Sequence, residues 1–388
     1  MEKVPSSLSL RPTVMGVDLD ALAYNVEQLK AFAAPSKFMA VIKANAYGHG
    51  LIPCAKHLET VGVDYLGVAL IEEGIELRQA GIKTPILVFG GIFGAQIKYF
   101  LENDLELTAS SVDKLDAIEK VASELGIRAK VHLKIDTGME RVGVHHYSAT
   151  KLYEAATKLK HSEIKGIFSH FATADEKDSS FVETQISRFR ETCREFESIV
   201  QSDALFHISN SAGMLTTKSA HMGMVRPGLS IYGVYPAPHF QSVPDLEPVM
   251  KLSSRVVYFK VVKEGAGVSY GHKWVAPKDT RVVTVPLGYG DGFFRSLSNK
   301  GEVLIRGKRH PIIGSVCMDQ IMVDIGQSEA YNGDEVVLIG SQEKEQIRVG
   351  EIAELVDTCP HQVLTSTNLR VPRQYQLGSK TLLEKDFY

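Results

Sequence analysis

Phe38-Met39-Ala40-Val41-Ile42 runs without a break into Lys43-Ala44-Asn45-Ala46-Tyr47-Gly48-His49-Gly50. A short apolar run that ends in a polar, glycine-containing segment reads as a strand buried on both faces and followed by a loop. The same grammar recurs through the first 230 residues, with strand candidates near 38–43, 64–70, 85–90, 105–109, 130–136, 164–170, 204–209 and 222–226. Amphipathic stretches lie between them. Val182, Ile186, Phe189, Cys193, Phe196 and Val200 keep one helical face apolar, and Leu115, Ile118, Val121, Ala122 and Leu125 do the same before Gly126, a helix-terminating residue. Eight strands with intervening helices fit an α/β fold, a TIM-like (β/α)8 barrel; an open doubly wound parallel sheet is the structural alternative.

The grammar changes after Tyr235-Pro236-Ala237-Pro238, a proline-rich break. Arg255 to Val262, Thr280 to Pro286, Glu302 to Ile305, Pro311 to Ile325 and Glu335 to Ile339 are β-rich, and one helical pattern interrupts them near Val349 to Asp357. The expected organisation is a barrel over 1–237 with an N-terminal arm, followed by a mainly β C-terminal domain over 238–388. At roughly 150 residues per domain, the 388 residues of the chain give about 2.6, which favours two domains over one.

Composition excludes several classes of function. With 44% hydrophobic and 23% charged residues the chain is an ordinary globular one, not a disordered segment. A net charge of -3 gives no positive field for phosphate backbones or anionic lipid, so neither nucleic acid nor membrane is expected as a partner. Cys54, Cys193, Cys317 and Cys359 are far apart, which fits neither a zinc framework nor a disulfide scaffold. The polar start, Met1 to Leu10, and the lack of any apolar run near ~20 residues lead to the expectation of a cytoplasmic protein.

In a barrel the reactive groups sit at the C-terminal ends of the strands. Lys43 stands at the first such end, where a lysine held against apolar surroundings loses its proton more readily and becomes a Schiff-base nucleophile. Further ends carry Lys134-Ile135-Asp136-Thr137-Gly138-Met139-Glu140-Arg141, Ser169-His170, His207-Ile208-Ser209-Asn210-Ser211 and Arg226-Pro227-Gly228. Each has a plain alternative, such as a satisfied core histidine at 170 or a barrel-closing ion pair at Arg226. Together they suit a phosphate bound after strands seven and eight, near Ser211 and Gly228. A phosphorylated ligand beside a lysine suggests pyridoxal phosphate.

These residues resemble alanine racemase, a fold-type III pyridoxal-phosphate family, over nearly the whole chain. The resemblance rests on Val41 to Gly50, Lys134 to Met139, His170-Phe171-Ala172-Thr173-Ala174-Asp175 and Arg226-Pro227-Gly228. In the second domain it rests on Val268-Ser269-Tyr270-Gly271, Gly288-Tyr289-Gly290-Asp291-Gly292 and Cys317-Met318-Asp319-Gln320.

The resemblance implies an isomerase that interconverts L-alanine and D-alanine by a two-base mechanism and supplies D-alanine for peptidoglycan. It implies that Lys43 carries pyridoxal 5'-phosphate, with Tyr47, His170, Asn210, Ser211, Arg226, Gly228, Leu229 and Tyr375 around the cofactor. Arg226 would face the pyridine nitrogen, where a fixed cation disfavours ring protonation and limits side reactions. Lys43 and Tyr270 would be the two bases, with Tyr270 contributed by the partner in a homodimer with shared sites. Arg141 and, from the other chain, Met318 would meet the substrate, and in many family members the lysine at the position of Lys134 is carbamylated and braces that arginine. Tyr375 would narrow the pocket to a methyl side chain.

The departures from the family pattern are Glu140 where many relatives have glycine, Ser315 where many have arginine, and Gly290 where alanine is frequent. Three rival readings are weighed against this one. A decarboxylase of the same fold type would carry a glycine cluster for phosphate between Phe206 and Gly233. A serine or broad-spectrum racemase is opposed by Tyr375. A cofactor carrier would lack the β domain with Tyr270. No metal site is expected.

Overall fold

A computed structural model describes residues 10–178, 180–200, 202–240 and 244–387. It divides into two compact units. One comprises Ala23–Ala46 and Leu51–Leu246. Its strand Lys37–Val41 pairs in parallel with Tyr65–Val68, which pairs with Ile86–Val88. A parallel bridge from Leu87 to Glu106 leads to Leu107–Ala109, and parallel pairing continues through Ala129–Asp136, Ser162–Phe168 and Leu205–His207. Gly223 N–H to the Phe206 carbonyl at 3.0 Å and Arg226 N–H to the Ser209 carbonyl at 2.9 Å join Met224–Val225. That last strand pairs with Lys37–Val41 again. The closure decides for the barrel and against an open sheet.

The barrel strands follow from their composition. Tyr65–Val68, Ile86–Val88 and Leu107–Ala109 are buried at every position, as expected for parallel strands covered on both faces. Ser180–Ile199 and Val112–Leu125 form the two helices expected from their apolar spacing. The second begins at Ser111, whose side chain accepts from the Lys114 N–H, and ends at Gly126 with φ +66°. A side chain at that φ would cost roughly 1–2 kcal/mol. A further short strand, Val144–His145, pairs with Ala129–Asp136.

The other unit comprises the described residues up to Leu22, Tyr47–Gly50 and Glu247 onward. Its main sheet is 11-stranded. Val14–Asp18, expected as an arm of the barrel domain, is a central strand of that sheet, antiparallel to Met250–Arg255 and parallel to Arg373–Leu377. The β-rich stretch from Pro311 to Ile325 resolves into two strands, Lys308–Ile313 and Ile321–Gly326, antiparallel to each other. Two helices occur where one was expected, Val349–Leu355 and Pro360–Ser366. A hairpin, Gly267–Val268 with Trp274–Val275, buries Val268 and Ala276 against Val262, Val282 and Ile313, with Trp274 and Met322 packed alongside. Full burial of such side chains stabilises by about 1.5–3 kcal/mol each, which anchors the base of the hairpin while its tip, at Tyr270, stays exposed.

Candidate active site

Lys43 follows the first barrel strand and opens a turn of unusual hand. Ala44, Asn45 and Ala46 have φ/ψ of 54/53°, 56/48° and 52/51°, and Tyr47 has φ 51°. Four consecutive non-glycine residues in the left-handed region cost roughly 1–2 kcal/mol apiece, so neighbouring bonds have to hold them. Three such bonds are evident. The Ala46 N–H donates to the Ile42 carbonyl at 2.8 Å, the Leu51 N–H donates to Asn45 Oδ1 at 2.7 Å, and the Ala44 N–H donates to Glu73 Oε1 at 2.6 Å. Glu73 Oε2 also accepts the N–H groups of Ala69 at 2.9 Å and Leu70 at 3.1 Å, tying together the loops after the first two strands. Burial, then Arg141, lowers the Lys43 pKa, and Glu73 opposes them.

Arg226 is buried at the end of the eighth strand. Its Nη1 donates to His207 Nδ1 at 2.9 Å, and its Nη2 group faces the Ser169 carbonyl at 2.8 Å, the Ile208 carbonyl at 3.1 Å and His170 Nδ1 at 3.3 Å. Burial pushes its pKa down to about 9, which leaves it cationic at neutral pH. Burial and the nearby cations, Arg226 first, hold His170 well below the usual histidine range. A neutral His170 that accepts at Nδ1 keeps its proton on Nε2.

Lys134, inside the fifth barrel strand, lies 5.2 Å from the centre of the Phe168 ring and donates to the Ile135 carbonyl at 2.9 Å. Burial, then Arg226, pushes its pKa down to about 7. Two residues on, Asp136 shapes the loop that carries Arg141. Its Oδ1 accepts the N–H groups of Gly138, Met139 and Glu140 at 2.8, 3.0 and 3.2 Å, and its Oδ2 accepts that of Arg141 at 3.2 Å. Burial opposes ionisation here, yet these bonds hold the carboxyl below its usual range. Glu140 has φ +54°, the conformation glycine takes without strain, and its carboxylate pairs with His145 at 2.9 Å on the exposed face of the loop.

Asn210 caps the helix Ser211–Thr216 by accepting the Gly213 N–H at 2.9 Å. Ser211 Oγ accepts the N–H groups of Gly228 at 3.0 Å and Ser230 at 3.3 Å, and Leu229 is buried between these two donors in sequence. The Ser230 hydroxyl is itself buried with no partner among the described residues. Serine hydroxyls and backbone N–H groups thus gather after strands seven and eight.

Four expected site residues belong to the other unit. Tyr47 begins the segment Tyr47–Gly50, where a Cβ on Gly50 would lie 1.9 Å from the buried Tyr375 hydroxyl and one on Gly48 2.4 Å from the Leu364 carbonyl. Arg373 Nε donates to the Gly48 carbonyl at 3.1 Å. Tyr270 is 74% exposed and Met318 52%. Ser269, before Tyr270, has φ +63°, and its hydroxyl donates to the Ser315 carbonyl at 2.7 Å while Ser315 Oγ donates to the Tyr270 carbonyl at 2.9 Å. Ser315, one of the departures from the family pattern, therefore fixes the Tyr270 turn.

Residues 17–236 match the family described as "Alanine racemase, N-terminal domain", and residues 249–375 match "Alanine racemase, C-terminal domain". The chain belongs to the alanine racemase family. Alanine racemase 2 of Caldanaerobacter subterraneus subsp. tengcongensis is 42% identical to it over 369 residues, 94% of this chain and 95% of that protein. The crystal structure of alanine racemase from the D-cycloserine-producing Streptomyces lavendulae matches with a TM-score of 0.92 at 36% identity, over 96% of this chain and 98% of that one. Alanine racemase from Bartonella henselae, solved with covalently bound pyridoxal phosphate, matches with a TM-score of 0.86 at 27% identity, over 94% of this chain and 99% of that one. The chain is an amino-acid racemase, an isomerase that interconverts the enantiomers of alanine.

Sequence reasoning passed over Glu73, Glu106, His132 and Phe168. Glu73 holds the Lys43 turn, and Phe168 lies beneath both Lys134 and Arg226, whose guanidinium carbon is 5.5 Å from the ring centre. Glu106, just before the apolar strand Leu107–Ala109, and His132, within Ala129–Asp136, are buried polar residues, and a polar side chain set beside buried apolar neighbours is the signal that could have found them.

Proposed function

We propose that this alanine racemase works with pyridoxal 5'-phosphate held by Lys43, in a homodimer whose two sites are shared between subunits. The observation that carries the reading is Arg226. A fully buried guanidinium bonded to neutral imidazoles and carbonyls suits an unprotonated ring nitrogen, and Lys43, with its lowered pKa, suits a carbonyl carbon. The hydroxyl of Ser211, fixed by the N–H groups of Gly228 and Ser230, and the Ser230 hydroxyl, buried with no partner among the described residues, suit a phosphate, helped by Asn210, Gly228, Leu229, Tyr47 and Tyr375. Bound there, pyridoxal phosphate supplies an electron sink that acidifies the α-proton of alanine.

The residues of the chain do the rest. Arg226 disfavours protonation of the ring nitrogen and so restrains the sink. Racemisation removes a proton from one face and returns one to the other, which requires two acid/base groups. Lys43 serves one face, and Tyr270 of a second copy serves the other. The Nε2–H of His170, fixed by the bond its Nδ1 accepts from Arg226, is a donor for a Tyr270 phenolate. Arg141 binds the substrate carboxylate, with the backbone of Met318 contributed by the second copy. Lys134, with a pKa near 7, has a neutral amine fraction able to add carbon dioxide, releasing a proton and forming a carbamate that braces Arg141. Tyr375 restricts the pocket to a methyl group. No helix among the described residues is long and apolar enough to cross a membrane, and we place the enzyme in the cytoplasm, supplying D-alanine for peptidoglycan.

Borohydride reduction of the protein mixed with pyridoxal phosphate, followed by peptide mapping, tests the site. The label is expected on Lys43. A label on Lys134 or on any other lysine overturns the assignment.

A further inference from the structure

Behind Arg226 a chain of hydrogen bonds runs through the barrel interior. His207 Nε2 lies 3.0 Å from His132 Nδ1, and His132 Nε2 lies 2.7 Å from Glu106 Oε2. All three side chains are buried, His132 and His207 completely.

The direction of each bond follows from the donor inventory. Arginine only donates, so His207 Nδ1 accepts from Arg226 and the proton of neutral His207 sits on Nε2. That proton points to His132 Nδ1, which accepts it. His132 therefore carries its proton on Nε2 and donates to the Glu106 carboxylate. Every member has one arrangement that satisfies it. The opposite tautomer at His207 would set an N–H against the Arg226 N–H and leave buried donors unpaired, at about 1–3 kcal/mol for each.

The barrel is shaped around this chain. His132 is in register with Gly166 on the neighbouring strand, and a Cβ on Gly166 would lie 2.5 Å from His132 Nδ1 and 2.8 Å from the Leu205 carbonyl. The His207 ring stacks on Phe168, with centres 5.1 Å apart and planes within 4°. Burial, then Arg226, holds His207 well below the usual histidine range, in keeping with a neutral ring.

We propose that Glu106, His132 and His207 form a one-way hydrogen-bond relay that locks both imidazoles in their Nε2–H tautomers and presents Arg226 with a permanent acceptor. Glu106 is thereby a positioning residue for Arg226, three hydrogen bonds away. The carboxylate polarises two neutral rings toward the guanidinium. It supports a buried cation that would be over-compensated by a carboxylate in direct contact. The consequence for catalysis rests on the reading that Arg226 faces the cofactor ring; the relay itself does not.

The test begins with cofactor-free protein labelled with [15N]histidine. Long-range nitrogen–proton correlation spectra report the tautomer of each ring, with His132 and His207 assigned by the signals lost in His132→Gln and His207→Gln. Both rings are expected to be neutral and protonated on Nε2 at pH 7. In Glu106→Gln, which keeps an acceptor and removes the charge, the His132 Nε2 proton should move upfield and the His207 signals should follow it. In the holoenzyme that variant should lose about 10- to 100-fold in kcat with a smaller change in KM, by analogy with the partners that orient metal-ligating imidazoles from behind. Gly166→Ala, which leaves Glu106 in place and displaces His132, should give a similar loss. A His207 protonated on Nδ1 or on both nitrogens in the unaltered protein overturns the relay. So does a Glu106→Gln protein with unshifted His132 and His207 signals. An intact relay together with a borohydride label away from Lys43 would instead count against the cofactor assignment alone.

Discussion

Glu73→Gln should loosen the turn that carries Lys43, and the size of the effect can be worked from the bonds. The carboxylate accepts three backbone N–H groups, from Ala44, Ala69 and Leu70, on its two oxygens. An amide has one accepting oxygen, and its NH2 group must face at least one N–H donor. One or two charge-assisted bonds are therefore lost, each contributing about 1.5–3 kcal/mol, a range of about 1.5–6 kcal/mol whose middle part lies near 2–4 kcal/mol. The strain to be held is of similar size, since four left-handed residues at roughly 1–2 kcal/mol each store about 4–8 kcal/mol. A loss of 2–4 kcal/mol corresponds to a shift of about 30- to 800-fold toward the relaxed turn. Denaturant unfolding of the cofactor-free protein reads the stability loss, and the rate of borohydride-trapped adduct formation with pyridoxal phosphate reads the placement of Lys43. Ala44→Gly, which removes strain at φ 54°, should recover part of both in the Glu73→Gln background. Unchanged stability and adduct rate in Glu73→Gln would refute the reasoning.

Lys134 has a folded pKa of about 7 against an unfolded value near ~10.4, so between these the unfolded chain binds more protons and stability rises with pH. Relative to the unaltered protein in carbon-dioxide-free buffer, Lys134→Met should therefore gain more stability at pH 6 than at pH 9, by about 2–3 kcal/mol; equal gains at both would show that the amine is not perturbed. Ser315→Ala removes the bond to the Tyr270 carbonyl, worth about 1 kcal/mol, and should slow racemisation several-fold with the fold intact; wild-type kinetics would remove Ser315 from the positioning of Tyr270. Mixing Lys43→Ala with Tyr270→Ala protein should restore activity through hybrid sites, and no recovery after demonstrated subunit exchange would contradict sites shared between copies.

The barrel was legible because parallel strands covered on both faces print as apolar runs, and Phe38 to Ile42 or Tyr65 to Val68 need no partner to be recognised. Val14–Asp18 was not, since Val-Met-Gly-Val-Asp is too short and mixed to declare a partner, and both of its neighbours in the sheet lie more than 200 residues away. The hairpin of Arg373–Leu377 and Lys380–Leu383 escaped for a related reason: Arg373 and Tyr375 are the buried positions, and a buried arginine whose guanidinium is bonded to backbone carbonyls looks like a surface residue in sequence. Lys43, Lys134, His170 and Arg226 stood out at strand ends. Glu106 and His132 did not, because their partners come from separate strands and only barrel closure sets them in line. The left-handed turn after Lys43 was equally hidden, since Ala44 and Ala46 are strong right-handed helix formers and the bonds that overrule them come from Glu73 and Leu51.

The central claim, two bases on opposite faces of the substrate, is tested most directly by hydrogen exchange. Tyr270→Ala holoenzyme is incubated in deuterated buffer with L-alanine and, separately, with D-alanine, and incorporation at the α-carbon is followed by NMR. On the proposed assignment, with Tyr270 of the second copy taking the proton of L-alanine and Lys43 that of D-alanine, removal of the phenol should slow exchange from L-alanine by about 10²- to 10⁴-fold and leave exchange from D-alanine far faster. Equal exchange from both enantiomers, or faster exchange from the L form, would contradict the assignment.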